Sequence, residues 1–144
     1  MSGLRVQGYA SRFGLEDLKG DVVLPGAFAD CLSGRLPVRM LFQHEAAEPI
    51  GVWDRVEEDA TGLFVSGRVL DAGPRGRAAA GLIRAGAVDG LSIGFRTRRS
   101  TPRAGGGRRL LDIDLWEVSI VTFPMLREAR LTYFSSTPGE GAQG

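Results

Sequence analysis

Short runs of β-branched and apolar residues, broken by single glycines and polar turns, set the rhythm of this sequence. They predict strands over about residues 4–10, 37–44, 49–57, 62–70, 91–99 and 108–121. The last is long enough for one bent strand or two. Residues 50–56 and 63–69 flank the polar stretch 57–62 and read as an antiparallel hairpin. Over residues 38–44, alternation puts 38, 40, 42 and 44 on one face, so that His44 ends an apolar row. By the same rule Ser92 lies opposite Leu91, Ile93 and Phe95, with Gly90 and Gly94 beside it leaving open space around its hydroxyl. Glu117 and Ser119 share one face, and Trp116, Val118 and Ile120 the other.

A helical period shows twice. Residues 25–32 carry Phe28, Cys31 and Leu32 at i, i+3, i+4, with Pro25 suited to a first turn and Gly34 to a stop. Residues 74–85 open on Pro74, are rich in Ala and Arg, place Leu82 and Ile83 on the apolar side and end before Gly86. Six strands and two helices predict a mainly β (α+β) domain, an antiparallel β-barrel flanked by a few helices. That domain spans residues 1–134; residues 135–144 lack an apolar anchor and read as a disordered tail.

Composition narrows the class. A chain of 144 residues, 43% hydrophobic and 24% charged, has room for one core. A net charge of +1 provides no global pull toward nucleic acid or an anionic membrane. No apolar run approaches the roughly 20 residues that span a bilayer, and the first residues lack the apolar segment of a signal peptide. One cysteine cannot close an intramolecular disulfide, which suits a reducing cytoplasm. One histidine, one cysteine and no clustered carboxylates are too few ligands for a metal, and no cofactor is expected.

His44 is the only side chain whose ordinary pKa suits a base near neutrality. Acyl transfer needs a hydroxyl, a base to take its proton and a group that orients the base. Ser92, His44 and Glu117 could fill these roles, though each also has an ordinary packing or ion-pairing reading. The spelling Gly90-Leu91-Ser92-Ile93-Gly94 matches a nucleophile elbow, but that elbow turns from strand into helix, and here β-type residues follow. Cys31, on the apolar face of a short helix, reads as core rather than nucleophile.

Taken together and in order, these phrases carry a resemblance. They are Gly8-Tyr9-Ala10 with Phe13, residues 21–28, Leu41-Phe42-Gln43-His44 with Pro49-Ile50-Gly51, Gly62-Leu63, residues 86–95 and residues 116–124. The chain resembles the prohead (capsid-maturation) serine proteases of tailed bacteriophages and gene-transfer particles, whose fold is similar to herpesvirus assemblin. The resemblance implies an assemblin-like fold and a serine endopeptidase that cuts scaffold, or the scaffolding segment of the major capsid protein, and also itself. The expected place is the bacterial host's cytoplasm, inside the assembling prohead. Carried over by position, the catalytic residues are Ser92, His44 and Glu117, with Ser119 as a supporting group. Assemblins use a second histidine where this chain has Glu117, a chemically sensible exchange because a carboxylate also orients imidazole. The same analogy suggests a homodimer, which no residue of the sequence itself decides.

Two other readings compete. One is a non-enzymatic, capsid- or scaffold-associated β module. The other is nucleic-acid binding through the arginines at 96, 98, 99, 103, 108 and 109 around residues 104–107. That cluster lacks interleaved aromatics for base stacking and reads better as a solvated hairpin loop.

Overall fold

The computed structural model describes residues 3–34 and 37–135. In chain order the elements are β1 (Gly3–Arg12), β2 (Val22–Val23), α1 (Ala29–Ser33), β3 (Arg39–Phe42), β4 (Gly51–Glu58), β5 (Gly62–Leu70), α2 (Pro74–Arg84), β6 (Gly90–Pro102), β7 (Arg108–Val121) and β8 (Leu131–Ser135). All six expected strands are present. β4 and β5 form the expected antiparallel hairpin. Its turn is held by Asp59, whose carboxylate accepts from the backbone of Thr61 (2.8 Å) and Gly62 (3.1 Å), the local bonding that suits Asp to turns. Residues 108–121 form one strand, bent by register shifts against β6. Except for Ser135, which ends β8, the predicted tail lies outside the described residues.

The strands form one mixed sheet in the order β2-β7-β3-β4-β5-β1-β8, with β6 on β7. Two departures from the expected antiparallel barrel follow. First, β2 and β3 each run parallel to β7, because β4, β5, α2 and β6 intervene before the chain returns beside β3. Second, the sheet does not close. Between β6 and β8, bridging among the described residues is limited to Gly90 and Arg130, beside the irregular stretch 122–130, whose Pro124 ring packs against Gly90. In that antiparallel register β8 lies level with residues 85–89, which form no strand, so pairing goes no further.

The buried side chains gather in one core. Leu4 and Val6 of β1, Leu63, Val65 and Val69 of β5, and Leu91, Ile113, Val118 and Ile120 of the β6–β7 pair are all buried. Strand alternation places them there, and each fully buried aliphatic side chain contributes about 1.5–3 kcal/mol. Gly76, Ala79, Ala80 and Ile83 form the buried stripe of α2, which leaves Leu82, expected on the apolar side, exposed. The first helix is shorter than its periodicity suggested. Gly26 has φ +92°, outside helical space, and Glu58 takes the backbone N–H groups of Gly26 (2.8 Å) and Phe28 (3.0 Å). Pro25 therefore precedes a turn, and α1 starts only after Phe28. Cys31 packs against the core; burial pushes its thiol pKa up, which disfavours the reactive thiolate.

Asp21 pins β2 to the start of β7. Its carboxylate accepts from the backbone (2.9 Å) and the Nη2 (2.9 Å) of Arg108. Hydrogen bonding from the Arg108 side chain, reinforced by its charge, holds the Asp21 carboxyl below the usual carboxylate range. The folded state thus favours the ionised form. Its contribution is complete above the unfolded carboxyl's pKa, near pH 4, and is lost as pH falls through the lower folded value. Asp21→Asn is expected to cost about 1.5–3 kcal/mol at pH 7, the range for bonds to a charged group. In thermal melts followed by circular dichroism, the wild type should lose its advantage over the variant below about pH 4.

Candidate active site

The site is built on β7. Ser92 of β6 lies directly across from Ser119, and Gly94 from Glu117. Paired residues of an antiparallel ladder share a face, so Ser92, Glu117 and Ser119 project from the same side, as the alternation of β7 predicts. Trp116 is skipped in the pairing, which passes from Gly94↔Glu117 to Phe95↔Leu115. This bulge interrupts the period-two pattern, and Trp116 lies exposed rather than beside buried Val118.

The glycines flanking Ser92 do not leave open space. A Cβ on Gly94 would overlap the side-chain carbons of Glu117, and one on Gly90 would meet the Pro124 ring and the Val121 carbonyl. Gly94 is the floor on which the Glu117 side chain lies.

His44 does not continue the row of Met40 and Phe42. In the parallel β3–β7 ladder Leu41 is level with Ser119 and Phe42 with Ile120. Simple alternation would therefore send residue 44 to the side away from Glu117. Instead the strand ends at Phe42, and Gln43 (φ +53°) and His44 (φ +60°) both adopt left-handed backbone. Phe42 accepts from the Glu45 N–H at 3.0 Å, closing a tight turn of the type that needs two positive φ values. Left-handed backbone costs a non-glycine residue roughly 1–2 kcal/mol, so the surrounding bonds must hold it. The turn swings the imidazole onto the Glu117 face.

There, Nδ1 of His44 is 2.5 Å from Glu117 Oε2. A carboxylate can only accept, so in a neutral His44 ring this bond places the proton on Nδ1 and leaves Nε2 its lone pair. Ser119 braces both partners: its hydroxyl donates to the same Glu117 oxygen (2.7 Å) and accepts from the His44 backbone N–H (3.2 Å). The Glu117 side chain is 12% exposed and that of His44 45%, so a shielded carboxylate orients a ring that reaches solvent.

Ser92 is 7% exposed, and its hydroxyl makes no hydrogen bond among the described residues. It lines, together with His44, a cleft of about 440 Å³. Leu15, Val23, Phe95 and Leu126 give that cleft apolar walls, and Arg12 and Lys19 stand on it as cations. The structure therefore joins His44, Glu117 and Ser119 in one hydrogen-bonded chain and sets Ser92 on the same face and cleft, without a bond to His44. Catalytic hydrogen bonds are often long before substrate binds.

The arginine cluster is largely engaged with its own chain. Arg96 pairs with Asp114 (3.3 Å), Arg98 with Asp112 (3.8 Å), Arg103 with Glu16 (3.1 Å) and Arg108 with Asp21 (2.9 Å). Arg103 also donates to the Gly20 carbonyl, and Arg109 to that of Pro102 at 2.8 Å. Phosphate contacts would have to displace these partners.

A β scaffold that gathers a serine, an imidazole with its outer nitrogen free and a carboxylate around one cleft has the composition of a serine-hydrolase site. The chain belongs to the Caudovirus prohead serine protease family, whose model matches residues 2–140. It is similar to the prohead protease of Enterobacteria phage HK97, with 34% identity over 137 residues, covering 92% of this chain and 61% of that protein. A second relative is the capsid polyprotein of Pseudomonas phage PAJU2, 33% identical over 113 residues that cover 74% of this chain and 17% of the polyprotein. Among solved structures the fold is similar to the KSHV protease, crystallised with a hexapeptide phosphonate inhibitor: TM-score 0.62, 17% identity, 91% of this chain and 64% of that one. The assemblin-like architecture expected from the resemblance is thus present, as an open mixed sheet.

Proposed function

We propose that this chain is a serine endopeptidase of prohead maturation, with Ser92 as nucleophile, His44 as base, Glu117 as orienting carboxylate and Ser119 as its brace. The observation that carries this reading is the Nδ1–Glu117 hydrogen bond of 2.5 Å on an imidazole that shares its cleft with Ser92.

The chemistry follows from these groups. As the Ser92 hydroxyl oxygen attacks the scissile carbonyl carbon, His44 Nε2 takes the hydroxyl proton, and Glu117 stabilises the resulting imidazolium. Collapse of the tetrahedral adduct breaks the C–N bond. Nε2 then returns the proton to the departing amine, leaving an ester on Ser92. A water deprotonated by the same nitrogen hydrolyses the ester and restores Ser92. The substrate is the scaffolding segment of the capsid protein or a separate scaffold, and the work takes place inside the assembling prohead in the host cytoplasm. The match to a capsid polyprotein supports association with capsid protein, and the cleft's apolar walls suit an extended, partly apolar peptide.

Fluorophosphonate labelling tests the assignment. One adduct per chain, located on Ser92 by peptide mapping, is expected. A cleaving preparation that labels on another serine, or not at all, would remove Ser92 from the nucleophile's role.

A further inference from the structure

Among the residues around the site, Gln43 has the most unusual set of bonds. Its backbone N–H donates to the Ile120 carbonyl at 2.9 Å, the next rung after Phe42↔Ile120 in the parallel β3–β7 ladder. In such a ladder the residue that donates to position 120 accepts, through its own carbonyl, from the N–H of position 122. A continuing β3 would offer the Gln43 backbone carbonyl to Thr122. The left-handed φ of +53° turns the chain out of the sheet at this point. The Gln43 side chain supplies the missing rung: its Oε1 accepts from Thr122 N at 3.2 Å, while its Nε2 donates to Thr122 Oγ1 at 2.8 Å.

We infer that Gln43 is a positioning residue whose side-chain amide stands in for the interrupted strand and locks the turn that carries His44 onto Glu117. The inference rests on His44 being the base. Four bonds to β7 and to Thr122 just past its end therefore bracket two strained residues: the backbone bond and the two amide bonds of Gln43, and Ser119 on the His44 N–H. Without the amide, the chain at 43 can relax toward ordinary strand backbone, the state any non-glycine residue prefers, and alternation then carries the imidazole away from the carboxylate. Asparagine is one carbon too short to reach the same rung. Gln43 is exposed, so its removal leaves the core intact.

The chain's lone histidine makes the test direct, because untagged protein has one imidazole to observe. The Nδ1 proton shared with Glu117 should give a low-field proton resonance. In Gln43→Ala, kcat per Ser92 titrated by fluorophosphonate is expected to fall about 10–100-fold with KM changed less than about 2-fold, the signature of lost transition-state geometry. The low-field resonance should broaden or vanish. A merely structural role would lower the melting temperature and leave kcat per labelled site and the resonance alone; that result overturns the inference. Should Gln43→Ala fail to fold, Thr122→Val decides. It keeps the backbone N–H but removes the Oγ1 acceptor, and a smaller loss in the same two readouts is expected, while wild-type values overturn the inference. The two levels of argument fail separately. A wild type that neither cleaves nor labels would defeat the serine-protease reading, yet loss of the resonance in Gln43→Ala would still establish that Gln43 holds the imidazole.

Discussion

Ser92→Ala and His44→Ala should each reduce cleavage of scaffold or capsid-protein substrate by about 10⁴-fold or more, the scale of losing one member of such a unit. Neither change should unfold the protein. The Ser92 hydroxyl holds no hydrogen bond among the described residues, so the alanine variant gives up no internal hydrogen bond. The His44 side chain is about half exposed, and Glu117 keeps the Ser119 hydroxyl when the imidazole goes. Residues that act together lose their effect together, so the double variant should be scarcely worse than either single one. Cleavage followed by gel and mass spectrometry, with thermal melts of each variant, checks this. Full cleavage by either single variant would end the assignment.

Glu117→Gln is the second large effect, with kcat expected to fall about 10²–10⁴-fold and KM little changed. The substitution preserves shape, and its carbonyl can still occupy the position of Oε2. What disappears is the negative charge that stabilises imidazolium at the moment His44 takes the proton. The carboxamide can also flip, placing its NH₂ against Nδ1 and forcing the proton onto Nε2, the nitrogen that must accept. Steady-state kinetics on a peptide spanning the cleavage site separates kcat from KM. Wild-type turnover would mean that some other group orients His44.

The sequence made the membership of the site readable before its geometry. Period-two alternation put Glu117 and Ser119 on one face, and the 2.7 Å bond between them is what that arrangement allows. Ser92 was legible as a candidate from its phrase, and α2 from Pro74 at its start. Alternation failed at His44 because the chain reverses there through two residues, Gln43 and His44, that seldom adopt positive φ. Bonds from Ser119 and Thr122, 75 and 79 residues away, help to hold them so, and no local propensity reports those bonds. The parallel pairing of β3 with β7 was hidden for the same reason: strand sequences state which face is buried, not which distant neighbour lies alongside. β2 spans two residues, too few for any period to show. β8 lies between a charged stretch and the polar tail and is absent from the strands the pattern predicts.

Gly94 has a consequence of a different kind. Its φ is not positive, so no backbone demand selects glycine there; the volume a side chain would fill already belongs to Glu117. Positions 94 and 117 therefore have one shared occupancy, and genetic drift at either is constrained by the other. A larger residue at 94 evicts the carboxylate, while a smaller residue at 117 deletes it, so either first step passes through a damaged site. Lineages that exchange Glu117 for another orienting group should change position 94 along with it, and those that keep the glutamate should find the glycine hard to leave.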